Sequence, residues 1–302
     1  MDIDKYRKLP AESLDHYLLR FLRARKFKVK DAWDMLVKDY MWREETKVNE
    51  LRNKTPEEIL GLPNLDLLNK YLPGWIQGFD KQGRPVLFKR FGRCDVAAML
   101  QHTTLDKLLM HHVWTQETLM HKLSEQSAAT GYNIETICAV FDASGWRLGL
   151  ATSTAYSFLK GMADLDSWHY PERLGAIYVV NSPTLLSVAW RVIRSWLDER
   201  TRTKIHILGG IDEFGPILRE VMDENTVLPV EFGGQAVSLE PQPAQELRSS
   251  ASPTSPTEEL DEKDKEALEI ANQLASESKE DTQSPEPAKA EPAQPKKRGW
   301  FW

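Results

Sequence analysis

Apolar positions in the first sixty residues recur with a helical period. Leu14, Tyr17, Leu18, Phe21 and Leu22 follow the i, i+3, i+4, i+7, i+8 spacing of one helix face. Asp31 is placed to cap a second helix that buries Trp33, Leu36, Val37 and Tyr40. Thr55-Pro56-Glu57-Glu58 opens a third, with Thr as cap, Pro at the first helical position and Glu reaching back. No strand pattern occurs up to Leu62. From Pro63 the texture changes. Residues 85–88 read as a strand after the turn Asp80-Lys81-Gln82-Gly83, and a long helix runs from a Thr104 cap through Leu108, Leu109, Val113, Met120 and Leu123. Residues 137–141, 176–180 and 205–208 read as further short strands. Such strands separated by helices predict an α/β domain with a mostly parallel sheet buried on both faces.

One helical segment is too apolar for an ordinary surface helix. In LLSVAWRVIRSWL, residues 185–197, Ser187, Arg191, Arg194 and Ser195 form, with Asp198, a narrow polar stripe. Leu185, Leu186, Val188, Ala189, Trp190, Val192, Ile193, Trp196 and Leu197 fill the rest. An arc this wide predicts burial on more than one side. The helix is either central to the core or turns one side toward an apolar ligand or a membrane.

Charge divides the chain differently. Beyond residue 235 there are 14 acidic and 8 basic residues, whereas the preceding part carries 31 of each sign. The same stretch holds 8 of the 17 prolines and few large apolar residues, so it cannot bury enough surface to offset its ordering entropy. The expected organisation is a helical region at 1–62, an α/β domain at 63–235 and a disordered acidic tail at 236–302. Within the tail, Leu260, Ala267, Leu268, Ala271 and Leu274 follow Thr257 at helical spacing, a thin stripe for one helix. The tail closes on Lys296, Lys297 and Arg298, then Trp300, Phe301 and Trp302. Three cations and three aromatic residues fit a weak, reversible membrane anchor. A solvated ending and a docking segment for a partner protein are the competing readings.

The net charge of −6 argues against a nucleic-acid binder. Cys94 and Cys138 are the only cysteines, so no disulfide framework is expected and a reducing compartment fits. No apolar run approaches the roughly 18–20 residues of a membrane span, and MDIDKYRKLP lacks a secretory signal's apolar stretch. A soluble cytoplasmic protein is the expectation.

Catalytic signatures fail. No Gly-x-Gly-x-x-Gly follows a strand, and no Walker loop is present. Asp142-Ala143-Ser144-Gly145 lacks the Gly two residues before the Ser and reads as a strand end entering a loop. His111, His112 and His121 share a helix with Glu117, but residues 112 and 121 fall on roughly opposite sides, which favours surface or satisfied histidines over a metal site. Three other features stand out: the basic and apolar run LLRFLRARKF at 18–27, Tyr170-Pro171-Glu172-Arg173 before a strand, and DERTRTKIHILG at 198–209.

Together with DKQGRPV, the Asp142 that ends a strand, HYPERLG, YVVNSP, TKIHILGG and LPVEFGG, these runs lie collinearly between Ser13 and Gly234. In that order they resemble the CRAL-TRIO lipid-binding family, and within it the phosphatidylinositol transfer branch. The resemblance implies a helical N-terminal region beside an α/β domain whose sheet floors a deep apolar pocket. It makes the wide apolar helix a mobile gate, through Leu185, Leu186, Ala189, Trp190, Ile193, Trp196 and Leu197. It assigns the phosphatidylinositol headgroup to Arg25, Glu172, Thr201 and Lys204. That chemistry is sensible: inositol hydroxyls donate to a carboxylate, while Lys, Thr and Arg satisfy the phosphodiester. At the positions where the branch binds choline phosphate, this chain has Ile76, Leu87, Gln116, Ile137 and Ala139, mostly apolar.

The resemblance thus implies a carrier without catalytic residues, metal or cofactor, whose bound lipid is phosphatidylinositol. It would exchange that lipid between membranes or present it to lipid kinases, as a cytoplasmic monomer that associates reversibly with intracellular membranes. A carrier or sensor of a sterol, a tocopherol-like molecule or haem that keeps the phosphoinositide site is the alternative, followed by an enzyme acting on a lipid.

Overall fold

The computed structural model describes residue 9, residues 11–242 and residues 262–280. Ser13 caps α1 (Leu14–Ala24), its Oγ accepting from the His16 amide at 3.2 Å. The helix stops where Lys26 and Phe27 take left-handed backbone angles, φ 51° and 59°. The second helix, α2 (Val29–Thr46), starts earlier than its apolar pattern predicts. Lys28 is the capping residue and Asp31 lies in the first turn, where a carboxylate complements the helix dipole. Its buried face is also rotated from the expected one: Ala32, Met35, Leu36 and Asp39 point inward, and Trp33 is 53% exposed. The inward Asp39, held by Arg43 and His169, is what an apolar-only pattern misses. Two short helices follow, α3 (Val48–Leu51) and α4 (Pro56–Leu60). The capping box of α4 is complete, with Glu58 Oε2 accepting from the Thr55 amide at 2.7 Å and Thr55 Oγ1 from the Glu58 amide at 3.3 Å. Next comes α5 (Asp66–Tyr71).

Among the described residues five strands form one sheet in chain order: β1 (Gly74–Phe79), β2 (Pro85–Lys89), β3 (Ile137–Asp142), β4 (Leu174–Val180) and β5 (Ile205–Ile207). Only β1 runs antiparallel to its neighbour. It escaped the pattern reading because Gly74, Gln77 and Gly78 interrupt it; buried Gln77 donates to the Val227 carbonyl at 3.1 Å. The β1–β2 turn is tied by Asp80, whose Oδ1 accepts from the amides of Gln82 and Arg84 at 2.9 Å each. Gly83 supplies the left-handed angle there, φ 79°.

Parallel strands in sequential order, joined by right-handed crossovers, place their helices on one face. That face carries α7 (Leu105–Thr130), α8 (Ser153–His169) and α9 (Leu186–Trp196), with short α6 (Val96–Met99) and α10 (Glu199–Arg202) at its edges. Alternation along the strands then sorts the core. Val86, Phe88, Cys138 and Val140 pack against Phe214 and Leu218 of α11 (Ile211–Val221) and against Met222 and Phe232. Leu87, Ile137 and Ala139 face the other way, toward Val113, Leu119 and Met120 of α7.

The expectation of a disordered tail from residue 236 requires correction in two places. Residues 236–242 belong to the body: the Leu239 amide donates to Gln77 Oε1 at 2.9 Å, and Glu240 Oε2 accepts from Arg90 Nη2 at 2.6 Å. Arg90 is itself buried and also donates to Asp142 at 2.9 Å, so this short segment neutralises an interior cation. The second place is α12 (Glu262–Glu280), the one helix expected within the tail, which packs against α9 and the turn Leu148–Leu150. Ala267 and Ala271 are buried among Leu186, Ala189 and Val192, and Asp264 Oδ1 accepts from the Gly149 amide at 2.7 Å. Two alanines at i, i+4 bury little area each but let the helices approach closely, which is why the stripe looked thin. Residues 243–261 and 281–302, with the basic and aromatic ending at Lys296, Lys297, Arg298, Trp300, Phe301 and Trp302, lie outside the described residues.

Candidate functional site

Between the sheet and helices α7, α8 and α9 lies a cavity of about 660 Å³. Its floor is the strand face bearing Leu87, Ile137, Ala139 and Ile177, and its walls include Phe158 and Met162 of α8. The wide apolar arc of α9 now has a physical reason. Leu186, Ala189, Trp190, Ile193, Trp196 and Leu197 line the cavity, while Ala189 and Val192 also meet α12. The helix is therefore apolar toward a void and toward another helix at once. Leu185, expected with this group, is 46% exposed and does not line the cavity.

At the cavity mouth the chain gathers four side chains from distant stretches: Arg25, Glu172, Thr201 and Lys204 all line it. Arg25 is the residue after α1, and its guanidinium lies 4.9 Å from the Trp168 ring centre. Glu172 holds a left-handed backbone, φ 60°, so its side chain and that of Arg173 leave the chain in directions a regular strand entry would not give. Arg173 turns inward to Glu12, whereas Glu172 meets Arg200 Nη1 at 3.1 Å and Lys204 Nζ at 3.8 Å. Thr201 Oγ1 donates to Asp198 Oδ2 at 2.6 Å. Burial lowers the Lys204 pKa, and Glu172 opposes that shift. Burial alone would raise the Asp198 carboxyl, but the Thr201 hydrogen bonds outweigh it and hold the pKa low. The cluster therefore offers cations, a hydroxyl and a carboxylate at the edge of an apolar hollow. Arg200 and Asp198 were not anticipated as members; both lie within the run that supplies Thr201 and Lys204.

The CRAL/TRIO domain profile matches residues 69–234, and the CRAL/TRIO N-terminal domain profile matches residues 4–38. The chain belongs to the CRAL/TRIO family. It is 35% identical over 226 residues to the SEC14 cytosolic factor of Candida glabrata, covering 74% of this chain and 71% of that one. The Sec14 cytosolic factor of Schizosaccharomyces pombe is 34% identical over 223 residues, 73% of this chain and 74% of the relative. The phosphatidylinositol/phosphatidylcholine transfer protein SFH7 of Arabidopsis thaliana is 35% identical over 232 residues, 75% of this chain but only 40% of the longer relative. Among solved structures, the crystal structure of Sfh5 superposes with a TM-score of 0.55 over 87% of this chain and 81% of that one, at 20% identity, a likeness of fold.

In this CRAL/TRIO chain the deep end of the cavity differs from what its apolar positions implied. Leu87, Gln116, Ile137 and Ala139 do line the wall, and Ile76 stands beside Leu87 on β1 without reaching it. Polar groups nevertheless surround them. His112 Nε2 and Gln116 Nε2 both lie against Asp166 Oδ1, at 2.8 Å and 3.0 Å. Lys89 and His111 also line the cavity. Pattern reading passed over Lys89, although its parity in β2 is that of Leu87 and so predicts the same face. Of the three histidines on α7, His121 is at the surface beside Glu125, His112 is satisfied by Asp166, and His111 is buried. No cluster of potential metal ligands occurs among the described residues. Asp142 and Ser144 serve structure: Asp142 accepts from Ser144 Oγ at 2.6 Å and from Asn181 Nδ2 at 2.9 Å.

Proposed function

We propose that the chain is a phosphatidylinositol carrier, which binds the inositol phosphate head at Arg25, Glu172, Thr201 and Lys204 and the acyl chains in the cavity. The observation that supports it is that all four residues line one apolar hollow, with Glu172 and Lys204 3.8 Å apart on its wall. Two acyl chains with about 30 CH₂ groups cost roughly 24 kcal/mol to expose to water, at about 0.8 each. A cavity that replaces water with apolar contact removes most of that barrier to leaving a bilayer. Helix α9 is the wall whose displacement would open the cavity, so it acts as the gate. No bond is made or broken in this cycle, and the protein works as a carrier, exchanging lipid between membranes or presenting it to a lipid kinase. It does so as a cytoplasmic monomer that visits membranes transiently.

Mass spectrometry of lipid retained by protein incubated with mixed vesicles tests this directly. Phosphatidylinositol is expected to dominate, and its absence beside a retained sterol or haem would favour the alternative carrier. Phosphatidylcholine is expected to move poorly between vesicles, because Leu87, Ile137 and Ala139 offer neither an aromatic face nor hydroxyls to choline phosphate. Equal rates for the two lipids would refute that expectation. At the C-terminus, deletion of residues 299–302 is expected to weaken sedimentation with anionic vesicles while lipid affinity in solution stays constant. Unchanged sedimentation would remove the anchor role of the Lys296–Trp302 segment.

A further inference from the structure

The deep end of the cavity contains polar capacity that the protein itself does not use. Lys89 lines the cavity, and among the described residues no carboxylate lies within 4.0 Å of its ammonium. An enclosed cation without a partner is costly, since desolvation is not repaid. His111, also on the wall, stacks on Trp114 with ring centres 5.8 Å apart, and among the described residues its ring nitrogens have no hydrogen-bond partner. Burial pushes its pKa down to about 3, with Lys89 and His112 adding to the shift, so the ring is neutral and keeps one N–H to donate. Gln116 spends its Nε2 on Asp166, and its buried Oε1 has no partner among the described residues. Asp166 acts on Lys89 only through space, since no ion pair joins them among the described residues and its Oδ1 is bound to His112 and Gln116.

We propose that this deep end is a second headgroup subsite, in which Lys89, His111 and Gln116 hold the small anionic head of an acidic lipid that carries no ammonium group. The inference rests on the reading of the cavity as a lipid site and adds its second ligand class. One lysine matches one negative charge, and the His111 N–H adds a donor. Gln116 Oε1 needs a donor from the ligand, which a singly ionised phosphate monoester supplies through its remaining P–OH. Enclosure favours that singly charged form over the doubly charged one. A carboxylate satisfies Lys89 and His111 but leaves Gln116 to a glycerol hydroxyl. Choline fits neither, because its ammonium would face Lys89. The apolar replacements at Leu87, Ile137 and Ala139 and the charged Lys89 are thus two halves of one change of ligand.

The test incubates full-length protein with phosphatidylcholine vesicles carrying, in separate arms, phosphatidic acid, oleic acid or phosphatidylinositol, and counts retained lipid by mass spectrometry. Wild-type protein is expected to retain phosphatidic acid or oleate at least about tenfold above phosphatidylcholine, the size of one charge-assisted contact. Which of the two it retains identifies the phosphate or the carboxylate as the source of the anion. Lys89→Met should lose that retention by about tenfold, with an equal or higher melting temperature, because an unpaired enclosed charge has been removed. Lys204→Ala should do the reverse, losing phosphatidylinositol and keeping the acidic lipid. Phosphatidylinositol uptake with neither acidic lipid above phosphatidylcholine, or acidic-lipid retention unaffected by Lys89→Met, overturns the subsite. Uptake of no lipid in any arm overturns the carrier reading itself, and the subsite with it.

Discussion

Lys204→Ala is expected to lower phosphatidylinositol transfer between vesicles by at least about tenfold, and Glu172→Gln by a similar factor. A charge-assisted hydrogen bond to the headgroup contributes about 1.5–3 kcal/mol, which converts to that range. The fold should tolerate both changes. Lys204 approaches Glu172 only to 3.8 Å, and Arg200 at 3.1 Å remains to balance the carboxylate when the lysine is gone. Gln at 172 keeps the shape of the side chain, so the left-handed backbone there experiences no new demand. The measurement pairs a vesicle transfer rate with a melting temperature. Normal transfer in either variant would sink the headgroup assignment, and a large drop in melting temperature would move the residue from binding to structure.

The largest effect on stability is expected at Glu12, which does not line the cavity itself. Its carboxylate receives Arg20 Nε at 2.9 Å and Arg173 Nη2 at 2.9 Å, and all three side chains are nearly inaccessible to water. Glu12→Ala leaves two buried guanidinium groups without the anion they share. Breaking a buried ionic cluster in this way costs about 3–5 kcal/mol. For a chain of this size, that lowers the melting temperature by roughly 10 °C. The same carboxylate gives the fold a pH dependence. Burial works to raise its pKa, but Arg173 and Arg20 outweigh burial and hold it below the ordinary carboxylate value. A depressed pKa contributes stability above the unfolded value of about 4.3, and that contribution is lost as pH falls through the lower folded value. Acid titration of the melting temperature should therefore be shallower below pH ~4 in Glu12→Ala than in the wild type. Parallel curves would show that the cluster does not set the acid limit.

Most of the sheet was legible because β2, β3, β4 and β5 are short apolar runs between helices, and the capping residues Thr and Pro mark real helix starts at 55–56 and 104–105. Strand β1 was not legible, since its inward Gln77 is satisfied by backbone groups that only the fold brings near. The face of α2 was misread for the same reason at Asp39. The mouth of the cavity was legible through motifs rather than through physics: nothing in the spacing of Arg25, Glu172 and Lys204 says that they meet. What the motifs could not supply was the deep end. Lys89 shares the parity of Leu87 in β2, and the pairing of Leu87 with Ala139 turns both toward the cavity.

Helix α12 adds a thermodynamic consequence. Because it leans on α9 while remaining part of the same polypeptide, its association is a unimolecular equilibrium, insensitive to dilution. A separate peptide with the sequence of residues 262–280 would have to reach a concentration comparable with the tether's effective molarity, on the order of millimolar for a short link, to take its place. Any lipid that must displace α9 to enter works against this fixed internal load, whatever the abundance of the protein.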